Sequence, residues 1–181
     1  MNDKYECIFL DRDGTINIDP GYISSVKDLK FYDYTFQALE LLSSLTRSFI
    51  IITNQSGVSR GLIKKKELVK INYHIHRQFS ENKLNLLKIY NCTDLPGNSS
   101  KFRKPDVGMF LQASRENNID LKKCIMIGDS YSDIVPAKKL GMSSMLVLTG
   151  NGKADLNKFD KSINPDYVAD NLYSCFKELI K

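Results

Sequence analysis

Short apolar runs and amphipathic stretches alternate along most of the chain. Apolar runs bounded by turn residues predict buried strands, and such runs occupy Tyr5–Leu10, Ser48–Thr53, Leu86–Tyr90, Cys124–Gly128, Ser144–Leu148 and Tyr167–Ala169. Hydrophobic residues at helical spacing predict the intervening helices, which cover Tyr34–Thr46, Lys65–Asn82, Lys104–Asn117, a segment from Ser132 or Asp133 to Gly141, and Asn171–Ile180. The alternation predicts an α/β fold: a Rossmann-like, doubly wound three-layer sandwich with a mainly parallel sheet.

Proline and glycine mark several boundaries of these elements. Pro105 suits the first turn of a helix, so the third helix is predicted to open at Lys104-Pro105. Gly141 is a typical residue for ending the fourth helix. The segment 149–164 predicts a connecting loop, because its Thr149-Gly-Asn-Gly-Lys153 sequence lacks the glycine spacing of a phosphate-binding loop.

Polar side chains follow the predicted strands at the point where each strand ends. They form the pairs Asp11/Asp13, Thr53/Asn54 and Asp129/Asp133. In an open parallel sheet, ligands bind at the carboxyl ends of the strands. Any one pair could be an ordinary polar turn, but three of them at one sheet edge predict a functional site.

The two acids at the end of the first strand suggest a bound cation. Side chains alternate along a strand, which predicts that Asp11 and Asp13 point to one side and Arg12 to the other. Two carboxylates in one pocket repel each other unless a proton or a cation intervenes. A hard divalent cation with oxygen ligands, such as Mg²⁺, meets this requirement.

Composition adds bounds to this picture. The 181 residues, 42% of them hydrophobic, predict one domain over 1–181. Neither a secretory signal nor a membrane-spanning run is visible, so we expect a soluble, cytoplasmic protein, taken as a monomer. The net charge of +5 is mild and its lysines are scattered, which favours a phosphorylated small molecule over a nucleic acid as partner. The cysteines have no paired spacing, so no disulfides are expected.

The motifs taken together resemble the haloacid dehalogenase (HAD) superfamily of phosphohydrolases. The resemblance rests on Asp-Arg-Asp-Gly-Thr at 11–15, Thr53-Asn54, Lys104-Pro105 and the stretch Gly128–Asp133, which occur in the order of the family's motifs. The amino-acid sequence of residues 9–17, 53–58 and 103–105 is similar to that of one branch of this superfamily. That branch contains the D-glycero-D-manno-heptose-1,7-bisphosphate phosphatases and the histidinol-phosphate phosphatases.

The resemblance implies a role for each acid. Asp11 would be the nucleophile, which forms an aspartyl-phosphate. Mg²⁺ would be bound by the Asp11 side chain, the backbone carbonyl of Asp13 and the Asp129 side chain. Asp13 would protonate the leaving oxygen and then activate water. Asp133 would steady the water shell of the ion.

The resemblance also implies which residues hold the phosphate. Thr53 and Asn54 would donate hydrogen bonds to the phosphoryl oxygens, and Lys104 would neutralise their charge in the transition state. Arg103 is either a surface cation or a substrate contact, and we favour contact because a guanidinium fork suits phosphate. Gln55 and Arg60 are further candidates for substrate binding.

Two departures from the family's branch carry expectations of their own. Many members bind zinc before the Arg-Lys-Pro through a Cys-x-His pair and a later Cys-x-Cys pair. Here Asp94 stands where the histidine would follow Cys92, and no cysteine occurs between Cys92 and Arg103. One thiolate does not make a tetrahedral site, so no zinc is expected. The intervals 14–49 and 57–102 leave no room for an inserted cap domain, which predicts a cap-less HAD fold with an open site.

The expected activity is therefore that of a Mg²⁺-dependent phosphoric monoester hydrolase. The resemblance implies removal of the 7-phosphate of D-glycero-D-manno-heptose 1,7-bisphosphate, in the synthesis of ADP- or GDP-heptose for lipopolysaccharide or other surface glycans. Histidinol phosphate is the alternative substrate. A non-catalytic phosphate-binding module is the alternative from another class, and the presence of both Asp11 and Asp13 disfavours it.

Overall fold

A parallel sheet forms the centre of the protein. The computed structural model describes residues 3–97, 100–160 and 162–181. Within them, the strands lie in the order β3-β2-β1-β4-β5-β6 and pair in parallel throughout. They are β1 (Ile8–Leu10), β2 (Phe49–Asn54), β3 (Leu86–Cys92), β4 (Ile125–Gly128), β5 (Ser143–Val147) and β6 (Tyr167–Ala169). The predicted α/β sandwich is confirmed, and its sheet is wholly parallel.

Helices cover both faces of the sheet. They are α1 (Thr35–Leu42), α2 (Lys65–Glu81), α3 (Gly108–Asn117), α4 (Tyr131–Lys139), the short α5 (Gly152–Asp155) and α6 (Leu172–Leu179), with 3₁₀ turns at Val26–Asp28, Leu121–Lys123 and Leu156–Lys158. Most buried apolar residues of α1, α2 and α6 join one core cluster, whereas those of α3 and Ala137 of α4 join a second one. The sheet therefore lies between two helical layers.

The alternation of side chains along the strands separates the two cores. Ile8 and Leu10 of β1 pack in the core beneath α1, α2 and α6, and Phe9 packs in the core beneath α3 and α4. Phe9 stacks there on Phe110 with ring centroids 5.8 Å apart. Full burial of such a side chain stabilises the fold by about 1.5–3 kcal/mol. Because both faces are apolar, the polar residues of the central strands lie at the strand ends.

Several element boundaries differ from the sequence prediction. β1 is shorter than predicted, and β3 extends to Cys92. α4 begins at Tyr131 because Ser130, and neither Ser132 nor Asp133, is its N-cap, in a reciprocal capping box with Asp133. The predicted loop after β5 contains α5 and a 3₁₀ turn.

The start of α3 is the largest of these differences. Lys104-Pro105 does not form its first turn. The helix begins at Gly108, and the Lys104-Pro105 peptide is cis. The Lys104 backbone N–H donates to Asn54 Oδ1 at 3.1 Å, and Asn54 Nδ2 donates to the Lys104 carbonyl at 3.0 Å. These contacts with the end of β2 hold Lys104 outside the helix.

The connections leave the carboxyl edge of the sheet open. Between Gly14 and Phe49 the chain forms one 3₁₀ turn and α1, and between Gly57 and Phe102 it forms α2 and β3. Neither interval contains a cap domain among its described residues. No helix in the described part of the chain has the length and apolar character needed to cross a membrane.

Candidate active site

The candidate site is a cleft at the carboxyl ends of the three central strands β2, β1 and β4. It encloses about 370 Å³, a volume in the range of small-molecule sites. The predicted site residues that line it are Asp11, Asp13, Thr53, Asn54, Gln55, Lys104 and Asp129. The topology brings these residues together because their strands are neighbours in the sheet.

Three carboxylates meet in the floor of this cleft. One oxygen each from Asp11, Asp129 and Asp133 can be chosen so that all lie within 4.8 Å of one another. Lys104 is buried among them, with its Nζ 2.8 Å from Asp11 Oδ1 and 2.5 Å from Asp133 Oδ1. Lys104 Nζ also donates to the Ile52 carbonyl at 2.7 Å. One cation thus compensates only part of the charge of three acids.

The protonation of these acids reflects that imbalance. Burial, and then repulsion from Asp133, raises the pKa of Asp11 to about 7. Burial, followed by repulsion from Asp11 and Asp133, raises the pKa of Asp129 to about 8. For Lys104, burial acts to lower the pKa, but attraction to Asp11 and Asp133 outweighs it and holds the pKa above its ordinary value.

The cluster fits a hard divalent cation. Asp11 Oδ1 is buried and receives no well-directed hydrogen bond, despite its proximity to Lys104. Carboxylate oxygens are the ligands that Mg²⁺ prefers, and a dication favours the ionised form of neighbouring acids. Both oxygens of Asp133 are already engaged, by Lys104 on one side and by the Ser130 backbone and hydroxyl on the other. The oxygens with capacity to spare are therefore those of Asp11 and Oδ1 of Asp129.

The loop after β5 fixes the orientation of Asp129. Asn151 donates to Asp129 Oδ2 from its backbone at 2.7 Å and from its side chain at 3.2 Å. Gly14 and Gly150, both at positive φ, enclose the same oxygen, and a Cβ on either would lie only 2.3 or 2.1 Å from it. Thr149 Oγ1 donates to the Gly14 carbonyl at 2.6 Å. One oxygen of Asp129 is thereby held by the chain.

Asp13 lies at the wall of the cleft in a dense hydrogen-bond network. Its Oδ1 accepts from Arg12 Nε and Asn17 Nδ2, both at 2.9 Å. Its Oδ2 accepts from Arg12 Nη2 at 2.7 Å and from Gln55 Nε2 at 2.8 Å. Burial alone would raise the pKa of Asp13, but the Arg12 charge and these hydrogen bonds hold the pKa below its ordinary value.

The prediction that Arg12 points away from the two acids is wrong. Its side chain is 1% exposed and its guanidinium pairs with Asp13. The alternation of side chains holds only within β1, which ends at Leu10. Residues 12–17 form a turn instead, in which the amides of Ile16 and Asn17 donate to the Arg12 carbonyl, so the direction of the Arg12 side chain is set by the turn.

The predicted substrate-binding residues separate into two groups. Thr53, Asn54 and Gln55 line the cleft, but the side-chain amides of Asn54 and Gln55 are bound to other protein groups. Arg60 and Arg103 lie outside its lining residues. Arg60 is exposed, and Arg103 donates from Nη1 to the Asp94 carbonyl at 2.9 Å.

Other residues of the cleft are absent from the sequence prediction. They are Asp19, Gly21, Tyr22, Ser56, Gly57, Ser130, Ser132 and Asn151. Asn151 follows β5, the strand beside β4, so its position just after a strand end was the signal that could have placed it at the site.

Comparisons with known proteins agree with this geometry. A family model described as HAD-hydrolase-like matches residues 101–175. The D-glycero-alpha-D-manno-heptose-1,7-bisphosphate 7-phosphatase of Campylobacter jejuni is 33% identical over 83% of this chain and 86% of its own. The D-glycero-beta-D-manno-heptose-1,7-bisphosphate 7-phosphatase of Helicobacter pylori is 37% identical over 81% and 85%. The chain also resembles a crystal structure of the D,D-heptose 1,7-bisphosphate phosphatase from B. bronchiseptica, which is complexed with magnesium and phosphate. The two structures superimpose with a TM-score of 0.86 at 29% sequence identity, and the match covers 97% of this chain and 98% of the other.

Proposed function

The chain belongs to the HAD phosphatases, a family of phosphoric monoester hydrolases, and we propose that it removes the 7-phosphate of D-glycero-D-manno-heptose 1,7-bisphosphate. The observation that carries the proposal is the identity of 33–37% to 7-phosphatases of this sugar over more than four-fifths of the chain. Relatives named for the alpha and the beta anomer are about equally similar, so the proposal concerns the 7-phosphate that both substrates share. The product would enter the synthesis of nucleotide-activated heptose for surface glycans.

The proposed reaction has two steps at Asp11. In the first, a carboxylate oxygen of Asp11 bonds to phosphorus as the ester P–O bond breaks. Asp13, which takes up a proton as the anionic phosphate enters beside it, gives that proton to the departing sugar oxygen. In the second, Asp13 takes a proton from water as the water oxygen bonds to phosphorus and the bond to Asp11 breaks. Inorganic phosphate leaves and both acids are restored. The position of both carboxylates in the lining of one cleft supports this assignment.

Mg²⁺ is the cofactor that we propose for this site. The side chains of Asp11 and Asp129 and the backbone carbonyl of Asp13 would hold it, and the acid cluster with its raised pKa values supports this choice. When bound, the ion offsets the charge of the carboxylates and of the phosphate. We assign Asp133 to charge balance and to holding Lys104, because its own oxygens are occupied. We propose no structural zinc site.

Lys104, Thr53 and Asn54 would provide the phosphate-binding part of the cleft. Lys104 Nζ lies 2.8 Å from Oδ1 of the proposed nucleophile, Asp11. It would neutralise the negative charge on the phosphoryl oxygens in the transition state. Thr53 Oγ1 accepts from Gln55 Nε2 at 3.0 Å, which leaves its hydroxyl proton for the phosphate. The two hydrogen bonds between Asn54 and the Lys104 backbone support a role for Asn54 in holding Lys104 in place.

Arg103 remains the candidate for a contact outside the phosphate cleft. It is half-buried, and the Asp94 carbonyl engages only its Nη1. Its remaining donors suit a second phosphate or a sugar oxygen. Gln55 would contact the substrate only by giving up an internal hydrogen bond, and Arg60 would do so only by reaching in from the surface.

We further propose that residues 1–181 act as one domain, in the cytoplasm and as a monomer. The single sheet supports the first point, since every described strand belongs to it. Measurement of the molar mass in solution by light scattering tests the monomer, and a dimer mass would contradict it.

A comparison of two substrates tests the proposed function. The purified protein should release phosphate from heptose 1,7-bisphosphate with kcat/KM at least about tenfold above that for histidinol phosphate, equivalent to about 1.4 kcal/mol of transition-state binding. Both assays are run with Mg²⁺ and again with a chelator, and activity should require the ion. A preference for histidinol phosphate would overturn the heptose assignment, and equal activity in the chelator would overturn the role of Mg²⁺.

A further inference from the structure

Arg12 is a buried cation behind the wall of the cleft. Its side chain is 1% exposed and is not among the residues that line the cleft. Its Nε and Nη2 donate to the two oxygens of Asp13 at 2.9 and 2.7 Å. This fork of two parallel bonds fixes the plane of a carboxylate as well as its distance. Arg12 can therefore act on a substrate only through the residues that it contacts.

Gln55 connects this pair to the phosphate-binding end of β2. Its Oε1 accepts from Arg12 Nη2 at 3.0 Å, and its Nε2 donates to Asp13 Oδ2 at 2.8 Å and to Thr53 Oγ1 at 3.0 Å. With the bond from Asn17, Asp13 accepts four hydrogen bonds. A carboxylate has about four lone-pair sites, so the network leaves the Asp13 side chain a single orientation.

We propose that Arg12 and Gln55 are positioning residues that aim the Asp13 carboxyl at the leaving oxygen of the substrate. The inference rests on the proposed function. In the first step, Asp13 takes up a proton as the anionic phosphate enters beside it. It gives that proton to the ester oxygen as Asp11 bonds to phosphorus and the ester P–O bond breaks, so a sugar leaves as a neutral alcohol. Delivery requires one of the four donors to release its oxygen. Gln55 can do so, because its amide already contacts a second acceptor, Thr53 Oγ1.

The inference predicts a selective loss of activity. A sugar is a poor leaving group and needs the proton from Asp13, whereas p-nitrophenolate departs as an anion and does not. Misplacement of the acid should therefore slow hydrolysis of a sugar phosphate and leave p-nitrophenyl phosphate nearly unaffected. A loss of general structure would lower both activities together. Comparison of the two esters thus separates positioning from folding.

The experiment measures kcat/KM for heptose 1,7-bisphosphate and for p-nitrophenyl phosphate, with Mg²⁺, in wild type, Arg12→Lys and Gln55→Met. This parameter covers the steps up to phosphorylation of Asp11, so the water step that both esters share does not enter it. We expect each variant to lose about 10- to 100-fold more on the sugar phosphate than on the aryl ester, within the usual contribution of general acid catalysis. Gln55→Met keeps the test informative if Arg12→Lys fails to fold.

Arg47→Lys is the matched control. Arg47 Nε also pairs with an aspartate, Asp3, at 2.7 Å, but on the exposed surface. This variant should retain wild-type activity on both esters. Equal losses on the two esters in the Gln55 variant, or no loss on either, would overturn the inference. A wild type without activity on either ester would overturn the proposed function, and the inference with it.

Discussion

Lys104 is the residue that makes the acid cluster compatible with a folded protein. Its Nζ donates to Asp133 Oδ1 and to the Ile52 carbonyl, and it forms an ion pair with Asp11 Oδ1 at 2.8 Å. Its backbone is held by Asn54. The Nζ of Lys104 therefore has two roles. Its charge balances the buried acids, and it lies beside the proposed nucleophile, Asp11.

Replacement of Lys104 by methionine should destabilise the protein strongly. Removal of one partner from a buried ion pair costs about 3–5 kcal/mol, because the remaining charges lose their compensation. We expect that loss in the free energy of unfolding by urea at mildly alkaline pH, without divalent ions. Lys88→Met is the control, since Lys88 pairs with Glu116 at 2.7 Å on the surface, where a pair contributes about 0–1 kcal/mol. Equal effects of the two variants would contradict the role of Lys104.

At the scale of single residues, the sequence predicts what a site contains better than how its parts are connected. Asp11, Asp129 and Lys104 could be placed in it from short motifs at strand ends. The pairing of Arg12 with Asp13 could not, because it depends on a turn that no periodicity describes. The contact of Asn54 with Lys104 joins residues that are fifty positions apart, a distance over which local sequence carries no information.

The loop between β5 and α5 is the element on which the orientation of Asp129 depends. The Asn151 backbone N–H and side chain both donate to Asp129 Oδ2, and Thr149 ties the loop to the turn after β1 through the Gly14 carbonyl. Gly150 is required because its φ is +50° and because the space above it is filled by the Asp129 carboxylate. The loop therefore works as a support for the proposed cation site.

A Cβ at position 150 should disturb that site. In Gly150→Ala the new atom would lie 2.1 Å from Asp129 Oδ2 and 2.8 Å from Gly14 Cα, so Asp129 must move. Disruption of the groups that orient a ligand typically weakens metal affinity by about 10- to 100-fold, and we expect a loss in this range for Mg²⁺ in isothermal titration calorimetry.

The control for this variant is Gly141→Ala. Gly141 also has a positive φ of +71°, but its Cβ would meet Lys122 Cγ at an ordinary 3.6 Å. It should lose about 1 kcal/mol or somewhat more of stability from backbone strain and keep its affinity for Mg²⁺. Unchanged affinity in Gly150→Ala would show that the loop does not support the cation site.

The elements themselves were largely predictable, and the exceptions have physical causes. Strands and most helices followed from periodicity, since burial on one or both faces imposes it. The loop after β5 was predicted only as a connection, because its composition is polar and glycine-rich whether or not it lines a site. The start of α3 was misplaced because tertiary contacts of Lys104 with Asn54 override the local preference of proline for a first turn.

At the scale of the whole molecule, the parallel sheet concentrates negative charge at one edge. The ends of β1 and β4 bring Asp11 and Asp129 into one cleft, and α4 adds Asp133 from its first turn. Apolar packing on both faces of the sheet offsets the free-energy cost of burying these acids. A mainly parallel sheet could be predicted from the alternation of strands and helices, but the order of the strands depends on pairing between residues that are distant in the sequence.

The charge at this edge predicts a dependence of stability on pH. The pKa values of Asp11 and Asp129 are raised in the folded protein to about 7 and about 8, so between about pH 4 and pH 8 the folded state holds protons that the unfolded chain has released. Without metal, the free energy of unfolding should therefore fall as pH rises from about 4 and level off above about pH 8. The lowered pKa of Asp13 acts only at more acidic pH.

Bound Mg²⁺ should remove most of this decline, because it stabilises the ionised acids. The free energy of unfolding is measured with urea from about pH 5 to pH 9, once with Mg²⁺ and once with a chelator. In the difference between these two pH curves, the contributions of the other titrating groups cancel. The stabilisation by Mg²⁺ should grow with pH. Parallel curves would contradict the binding of the ion at these acids.

The phosphorylation of Asp11 is the step on which the whole account depends. A rapid mixture of the protein with Mg²⁺ and heptose 1,7-bisphosphate, quenched with borohydride, would reduce an aspartyl-phosphate to homoserine, which peptide mass spectrometry can locate. We predict homoserine at position 11 during turnover, and none in Asp11→Asn, a variant that should fold but not turn over. Homoserine at another aspartate, or turnover without any modification at position 11, would contradict the account.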